Sequence, residues 1–188
     1  MREGSEVISV DAEWLGASGG LELDLGCARG VFLVQMAEAN PGRNFLGVER
    51  QKLRVCRTQK KIRNKNLENA RVIGGEIVEV LEQVVPPESA DWLHVLFPDP
   101  WPKRRHAPRR LLQPRSFSAF HRVLKCGGRL RFLTDQEFYW RETLKFVGLL
   151  DGWVLTGEDP VGGWPKTEFQ GRFESQGIAS YGWILEKR

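Results

Sequence analysis

Within eleven residues, Leu96-Phe97-Pro98-Asp99-Pro100-Trp101-Pro102-Lys103-Arg104-Arg105-His106, the chain sets a carboxylate, an aromatic plate and a cluster of cations. That set suits gripping a nucleotide. Prolines at 98, 100 and 102 neither donate to a sheet ladder nor continue a helix, so the segment is expected to be a stiff loop that loses little entropy on binding. The apolar run 92–97 ahead of it reads as a buried strand, which puts Asp99 just past a strand's carboxyl end. Open α/β sheets hold their ligands there.

A second chemical signal lies at Leu21-Glu22-Leu23-Asp24-Leu25-Gly26-Cys27-Ala28-Arg29-Gly30, a strand running into a glycine-bearing turn that opens a helix. Dinucleotide enzymes use three glycines in such a turn to approach a pyrophosphate. In methyltransferases an acidic strand residue precedes a turn that cradles the methionine part of S-adenosylmethionine. Asp24 ahead of Gly26, followed by small Ala28 and Gly30, fits the second pattern better. Glu49 ends the next strand and is spaced to accept hydrogen bonds from the ribose hydroxyls of an adenosine. Glu76, at the end of the third, lies beside the expected adenine position, although an acid at a helix N-terminus also answers to the macrodipole.

The elements that must position these groups alternate in type from residue 21 onward. Strands are expected at 21–25, 44–49, 70–74, 91–97 and 128–134, each apolar and bounded by Gly, Pro or Asn. Helices are expected at 30–40, 51–65, 76–84, 114–125 and 136–150, most of them closed by Asn-Pro-Gly, Pro-Pro or Gly-Gly signals. Such alternation implies right-handed crossovers and a mostly parallel sheet covered on both faces. After Asp151 the rhythm changes: runs at 153–156 and 180–185, around a Gly/Pro-rich loop at 157–166, are expected to close the sheet edge as two antiparallel strands. Residues 1–20 show little pattern and are expected to form a partly disordered N-terminal extension, with one domain over 21–188.

At 188 residues, with 41% hydrophobic and 28% charged content, the chain can bury a core of its own, which excludes a disordered polymer. No unbroken apolar stretch has the length of a membrane span, and no signal-peptide pattern opens the chain, so a cytoplasmic protein without a membrane partner is expected. Three scattered cysteines and three histidines lack metal-site spacing, and no metal is expected. The net charge of +4 hides a segregation. Eight Lys or Arg lie in 50–65 and six in 103–115, with no acid in either stretch, so the other fourteen basic residues face all 24 acids and the remainder carries −10. Segregated basicity is the footprint of a polyanion surface, whereas a basic run alone is more often a solvated face. Arg50, Arg54, Arg57, Lys61 and Lys65 step along one helical face and offer a second such surface.

The chain resembles the bacterial tRNA guanine-N7 methyltransferase family through FPDPWPKRRH at 97–106, LELDLG at 21–26, FLGVE at 45–49, LKCGGRLRFLTD at 124–135 and TEFQ at 167–170. The resemblance implies an α/β, class I methyltransferase (Rossmann-like) three-layer sandwich whose mostly parallel seven-stranded sheet has an antiparallel edge. It implies transfer of a methyl group from S-adenosylmethionine to N7 of a guanine in the tRNA variable loop, with tRNA as partner; the sequence leaves open whether the protein is a monomer or homodimer. Asp24, Gly26, Gly30, Glu49, Glu76 and Asp99 would then contact the cofactor, with Asp99 also the catalytic residue. Lys103, Asp135, Thr167 and Gln170 would contact the substrate, and Arg105, His106, Arg109 and Arg110 the RNA. The sequence departs from the family at four places: Asp24 and Glu76 each differ by one methylene from the usual acid, Ala28 replaces a glycine, and Gln170 replaces a glutamate.

Guanine N7 carries a lone pair and no proton to lose, so orientation rather than a strong base is the main requirement, and Asp99 is assigned to positioning. Trp101 would stack on a base or support the loop. His94 and His121 are expected to be structural. Two alternatives remain: methylation of an exocyclic amine on another nucleotide, and an RNA-binding module with a vestigial cofactor pocket. A nicotinamide oxidoreductase is disfavoured because the turn lacks the full glycine set.

Overall fold

Strands buried along their whole length need cover on both faces, and β1, with all five residues buried, is the sharpest case. The computed structural model describes residues 11–16, 19–157 and 162–188. Residues 1–10 and 17–18 of the expected N-terminal extension, and 158–161 of the expected Gly/Pro-rich loop, lie outside the described residues. In chain order the elements begin with α1 (Ala12–Leu15), β1 (Leu21–Leu25), α2 (Val31–Ala39), β2 (Asn44–Glu49), α3 (Lys52–Asn64), β3 (Ala70–Gly74) and α4 (Ile77–Gln83). They continue with β4 (Ala90–Leu96), a 3-10 helix (Arg104–Arg109), α5 (Pro114–Val123), β5 (Leu124–Thr134), α6 (Glu137–Val147), β6 (Trp153–Gly157), α7 (Glu168–Ser175) and β7 (Tyr181–Lys187).

The sheet runs β3-β2-β1-β4-β5-β7-β6, with the first five strands parallel and β7 antiparallel to both its neighbours. The expected seven-stranded sheet with an antiparallel edge is therefore present. Its strand order reverses between β1 and β4, the crevice where such sheets place ligands. Two apolar clusters cover its faces. One joins Val80 and Leu81 of α4, Phe117 and Phe120 of α5 and Tyr139 of α6 to the strands. The other joins Phe32 and Leu33 of α2 and Val55 and Ile62 of α3 to Phe45 and Val72.

Three local outcomes differ from the sequence expectations. Strand β5 begins at Leu124, where a helix was expected to 125, because Leu124 turns extended (φ −71°, ψ 139°) and pairs with Ala90 across a register shift that accommodates the Gly127-Gly128 pair. Helices α1 and α7 have no counterpart in the expected elements. Part of the proline loop is wound as the 3-10 helix, whose single internal proline, Pro108, falls where the short helical hydrogen-bond pattern tolerates it.

Candidate active site

The turn after β1 is pinned to the sheet by its own backbone: the N–H groups of Gly26 and Cys27 donate to the Val48 carbonyl at 2.8 and 3.0 Å, and Gly30 N–H donates to Cys27 O at 2.7 Å. Gly26 has φ +87°, and a Cβ built on it would meet only Ile77 Cδ1, at 4.0 Å. Ala28 occupies the left-handed region at φ +49°, a conformation costing a residue with a Cβ about 1–2 kcal/mol. Gly30, at φ +68°, is required for another reason: its Cβ would fall 2.3 Å from Thr58 Cγ2, so this glycine serves the packing of α2 on α3.

A cleft opens at the β1/β4 switch point. Asp24, Gly26 and Ala28 line it from β1 and the turn, Leu96 from β4, and Thr167 and Phe169 from the start of α7. Arg29 Nη1 lies 2.9 Å from Glu168 Oε1, joining the turn to α7. Asp24 is 5% exposed, and its carboxyl is pushed up to about 7, chiefly by burial, while Arg131 lowers it and Glu49 raises it. Sheet register explains Arg131's influence. Asp24 pairs with His94 and His94 with Arg131, so the three side chains rise in one row across β1, β4 and β5. The Arg131 guanidinium lies over the rings of Trp164 (4.8 Å) and Phe32 (5.8 Å), and burial lowers its pKa to about 10, with Asp24 opposing that shift. His94 Nε2 sits 3.0 Å from Glu22 Oε2, and burial above all holds its ring below the usual histidine range, consistent with the structural role expected for it.

The remaining carboxylates share the rim of the sheet but differ in setting. Glu49 is buried at the end of β2, accepting from Gln51 N–H at 2.8 Å with Arg54 Nη1 at 3.6 Å. Glu76 is exposed and 3.4 Å from Arg50. Asp99 is exposed three residues beyond β4 and makes no hydrogen bond or ion pair among the described residues. Its loop is fixed at its start by Phe97 N–H donating to Leu133 O at 2.8 Å. Both Phe97 (φ +53°) and Trp101 (φ +41°) are in the left-handed region, so two bulky residues hold costly backbone conformations on either side of Asp99. The half-buried Asp135 follows β5, next to β4 in the sheet, and its carboxylate is bonded by the Gln136 side chain.

Lys103, Arg104, Arg105 and Arg109 are exposed, with His106 edge-on to Trp101 at 5.6 Å and the Arg109 guanidinium 5.1 Å from the same ring. Arg110 differs from them: its side chain is 11% exposed and turned inward. Gln170 is 1% exposed, its N–H donates to Thr167 Oγ1 at 2.9 Å and its amide to Glu174 at 3.0 Å, while its Oε1 has no hydrogen-bond partner among the described residues. The basic face of α3 is also largely occupied. Arg50 faces Glu76, Arg54 faces Glu49, Lys65 faces Glu38 at 2.5 Å, and Lys61 donates to Arg29 O at 2.8 Å, leaving Arg57 alone of the five without such a partner among the described residues. Sequence reasoning missed Arg131 and the Arg29–Glu168 pair. A cation inside the apolar run 130–134 was the available signal for the first.

Residues 19–179 match a family described as "Putative methyltransferase". Among curated proteins the chain is 36% identical over 156 residues to a tRNA (guanine-N(7)-)-methyltransferase of Nitrosococcus oceani, covering 82% of this chain and 66% of that one. To the same-named protein of Nocardia farcinica it is 34% identical over 160 residues, covering 85% and 59%. To that of Marinobacter nauticus it is 35% identical over 172 residues, covering 88% and 71%. The chain thus spans less than two thirds of the first two relatives' length. Similar solved structures include a SAM-dependent methyltransferase from Aquifex aeolicus, with a TM-score of 0.65 at 15% identity, covering 94% of this chain and 86% of that one. Another is a 30S ribosomal A1408 methyltransferase from an uncultured bacterium, with a TM-score of 0.65 at 22% identity, covering 93% and 90%.

Proposed function

From the premise that the chain belongs to the tRNA (guanine-N7)-methyltransferase family, we propose that it methylates N7 of a guanine in the tRNA variable loop, using S-adenosylmethionine, in the cytoplasm. The observation that carries this reading is the meeting, at one switch point, of the Asp24/Gly26 cleft with the strand that delivers Asp99 beside four exposed cations. Cleft and cofactor fit. Gly26 leaves its backbone open to the space, and Asp24 directs a buried carboxylate at it, a natural acceptor for the ammonium of an amino-acid moiety. Bound there, S-adenosylmethionine supplies an activated methyl group on a sulfonium.

Asp24 and Gly26 hold the amino-acid end, and Glu49, already oriented by Gln51 N–H, keeps lone pairs for ribose hydroxyls. Glu76 stands further out as a rim acid near the adenine. Asp99 accepts hydrogen bonds from guanine N1–H or its amino group and turns N7 toward the methyl. Holding two reactants in line lowers the barrier by about 7–11 kcal/mol, and no proton need leave N7. Lys103, Asp135 and the Thr167 hydroxyl border the purine, while Arg105, His106 and Arg109 meet the RNA backbone next to Trp101. Incubating the protein with labelled S-adenosylmethionine and unmodified tRNA, then digesting the product, is expected to yield 7-methylguanosine. Absence of transfer to any tRNA, or label on an exocyclic amine, contradicts the assignment.

A further inference from the structure

Arg110 sits in a run of cations whose other exposed members face solvent, yet its guanidinium is committed on every edge. Nε donates to Pro100 O at 2.9 Å, Nη2 donates to Trp101 O at 3.2 Å, and Nη1 lies 2.5 Å from Glu142 Oε2 of α6. Its plane is covered by Phe138 at 5.6 Å and Tyr139 at 5.2 Å. Only an arginine offers a planar fork that can take two successive carbonyls and a carboxylate together. The carbonyls it takes belong to the two residues after Asp99, and one of those residues, Trp101, is in a strained left-handed conformation.

We propose that Arg110 is a positioning residue: with Glu142 it clamps the carbonyls of Pro100 and Trp101, holding the Asp99 loop in its strained form, and it does not contact RNA phosphate. The strain supplies the reason for a clamp. A left-handed Trp101 relaxes unless something outside the loop holds it, and α6 is rigid enough to do so, being tied to β7 by Trp183 Nε1 donating to Thr143 Oγ1 at 3.0 Å and Trp140 Nε1 donating to Gly182 O at 3.0 Å. Charge alone would not suffice. A lysine at 110 can reach one carbonyl or the carboxylate but cannot make the fork.

The role of Asp99 in this inference rests on the proposed methyl transfer, so the test includes a readout independent of it. Amide hydrogen exchange over residues 97–106 is compared in wild type, Arg110→Lys, Arg110→Gln, Glu142→Gln and Arg105→Gln, together with single-turnover methylation of tRNA and the salt dependence of tRNA affinity. The clamp predicts that exchange in this loop rises about tenfold or more in both Arg110 variants and less in Glu142→Gln. It also predicts a fall in the methylation rate of up to about 100-fold with the slope of affinity against salt unchanged. Arg105→Gln should do the reverse, flattening that slope by about 1 with loop exchange unchanged. Unaltered exchange in Arg110→Lys, or a salt slope reduced in Arg110→Gln as in Arg105→Gln, overturns the clamp. If wild type methylates no tRNA while exchange responds as stated, the clamp stands and the proposed function fails.

Discussion

Arg29 Nη1 and Glu168 Oε1 lie 2.9 Å apart, joining the turn that follows β1 to α7. The two side chains are about half exposed, so the pair contributes under about 1 kcal/mol to stability. Its consequence is kinetic. Thr167 and Phe169 line the same cleft, so release of the pair is expected to loosen the wall that α7 gives it. Glu168→Gln is expected to speed dissociation of S-adenosylmethionine in stopped-flow fluorescence while shifting the melting temperature little. Unchanged association and dissociation rates would show that α7 does not limit entry.

Asp24 should write its burial into the pH dependence. Its carboxyl is raised from 3.8 to about 7, so the folded state binds a proton that the unfolded state releases. Stability is therefore lost as pH rises between about 4 and about 7, and is level above that. Asp24→Asn removes the loss, and its melting temperature should gain on wild type across this window. An ammonium-bearing cofactor needs the ionised form, so wild-type affinity should strengthen as pH rises from about 6 to about 7.5, before the α-ammonium itself loses its proton at about 8, while Asp24→Asn is weak throughout this range. Calorimetric titrations at several pH values read this directly.

Ala28 carries the turn's strain at φ +49°. Replacing it with glycine relieves about 1–2 kcal/mol of left-handed cost and adds unfolded-chain entropy worth about 0.4–1 kcal/mol. Ala28→Gly is expected to raise the unfolding free energy by a net of about 1 kcal/mol or less, read as a higher urea midpoint. A lower midpoint would mean that the methyl group of Ala28 packs usefully.

The two basic stretches should separate in salt titrations. Removing Arg105 or Arg109 is expected to weaken tRNA binding and flatten its salt slope by about 1 each. Replacing Arg54 or Lys61 should leave the slope nearly unchanged, because one faces Glu49 and the other donates to the Arg29 carbonyl. Equal slopes for both sets would place RNA on α3 as well.

Much of this frame was legible in the sequence because it is local. Leu21–Leu25, Asn44–Glu49 and Ala70–Gly74 coincide with the expected strands, being apolar runs cut off by turn residues. What escaped was non-local. The direction of the Arg110 guanidinium depends on Glu142, 32 residues away, and a charge run carries no mark of which member turns inward. The Asp24–His94–Arg131 row depends on strand register. Helix α7 has Gln170 as its one buried residue, too thin an apolar signal to announce a helix.

The central claim is that the reacting atom is N7, and an unmodified tRNA transcript made with 7-deazaguanosine in place of guanosine tests it most directly. Wild-type protein should bind this transcript as it binds the ordinary one, methylate the ordinary one in a manner abolished by Asp99→Ala, and transfer no label to the deaza form. Comparable incorporation into both transcripts would contradict the account.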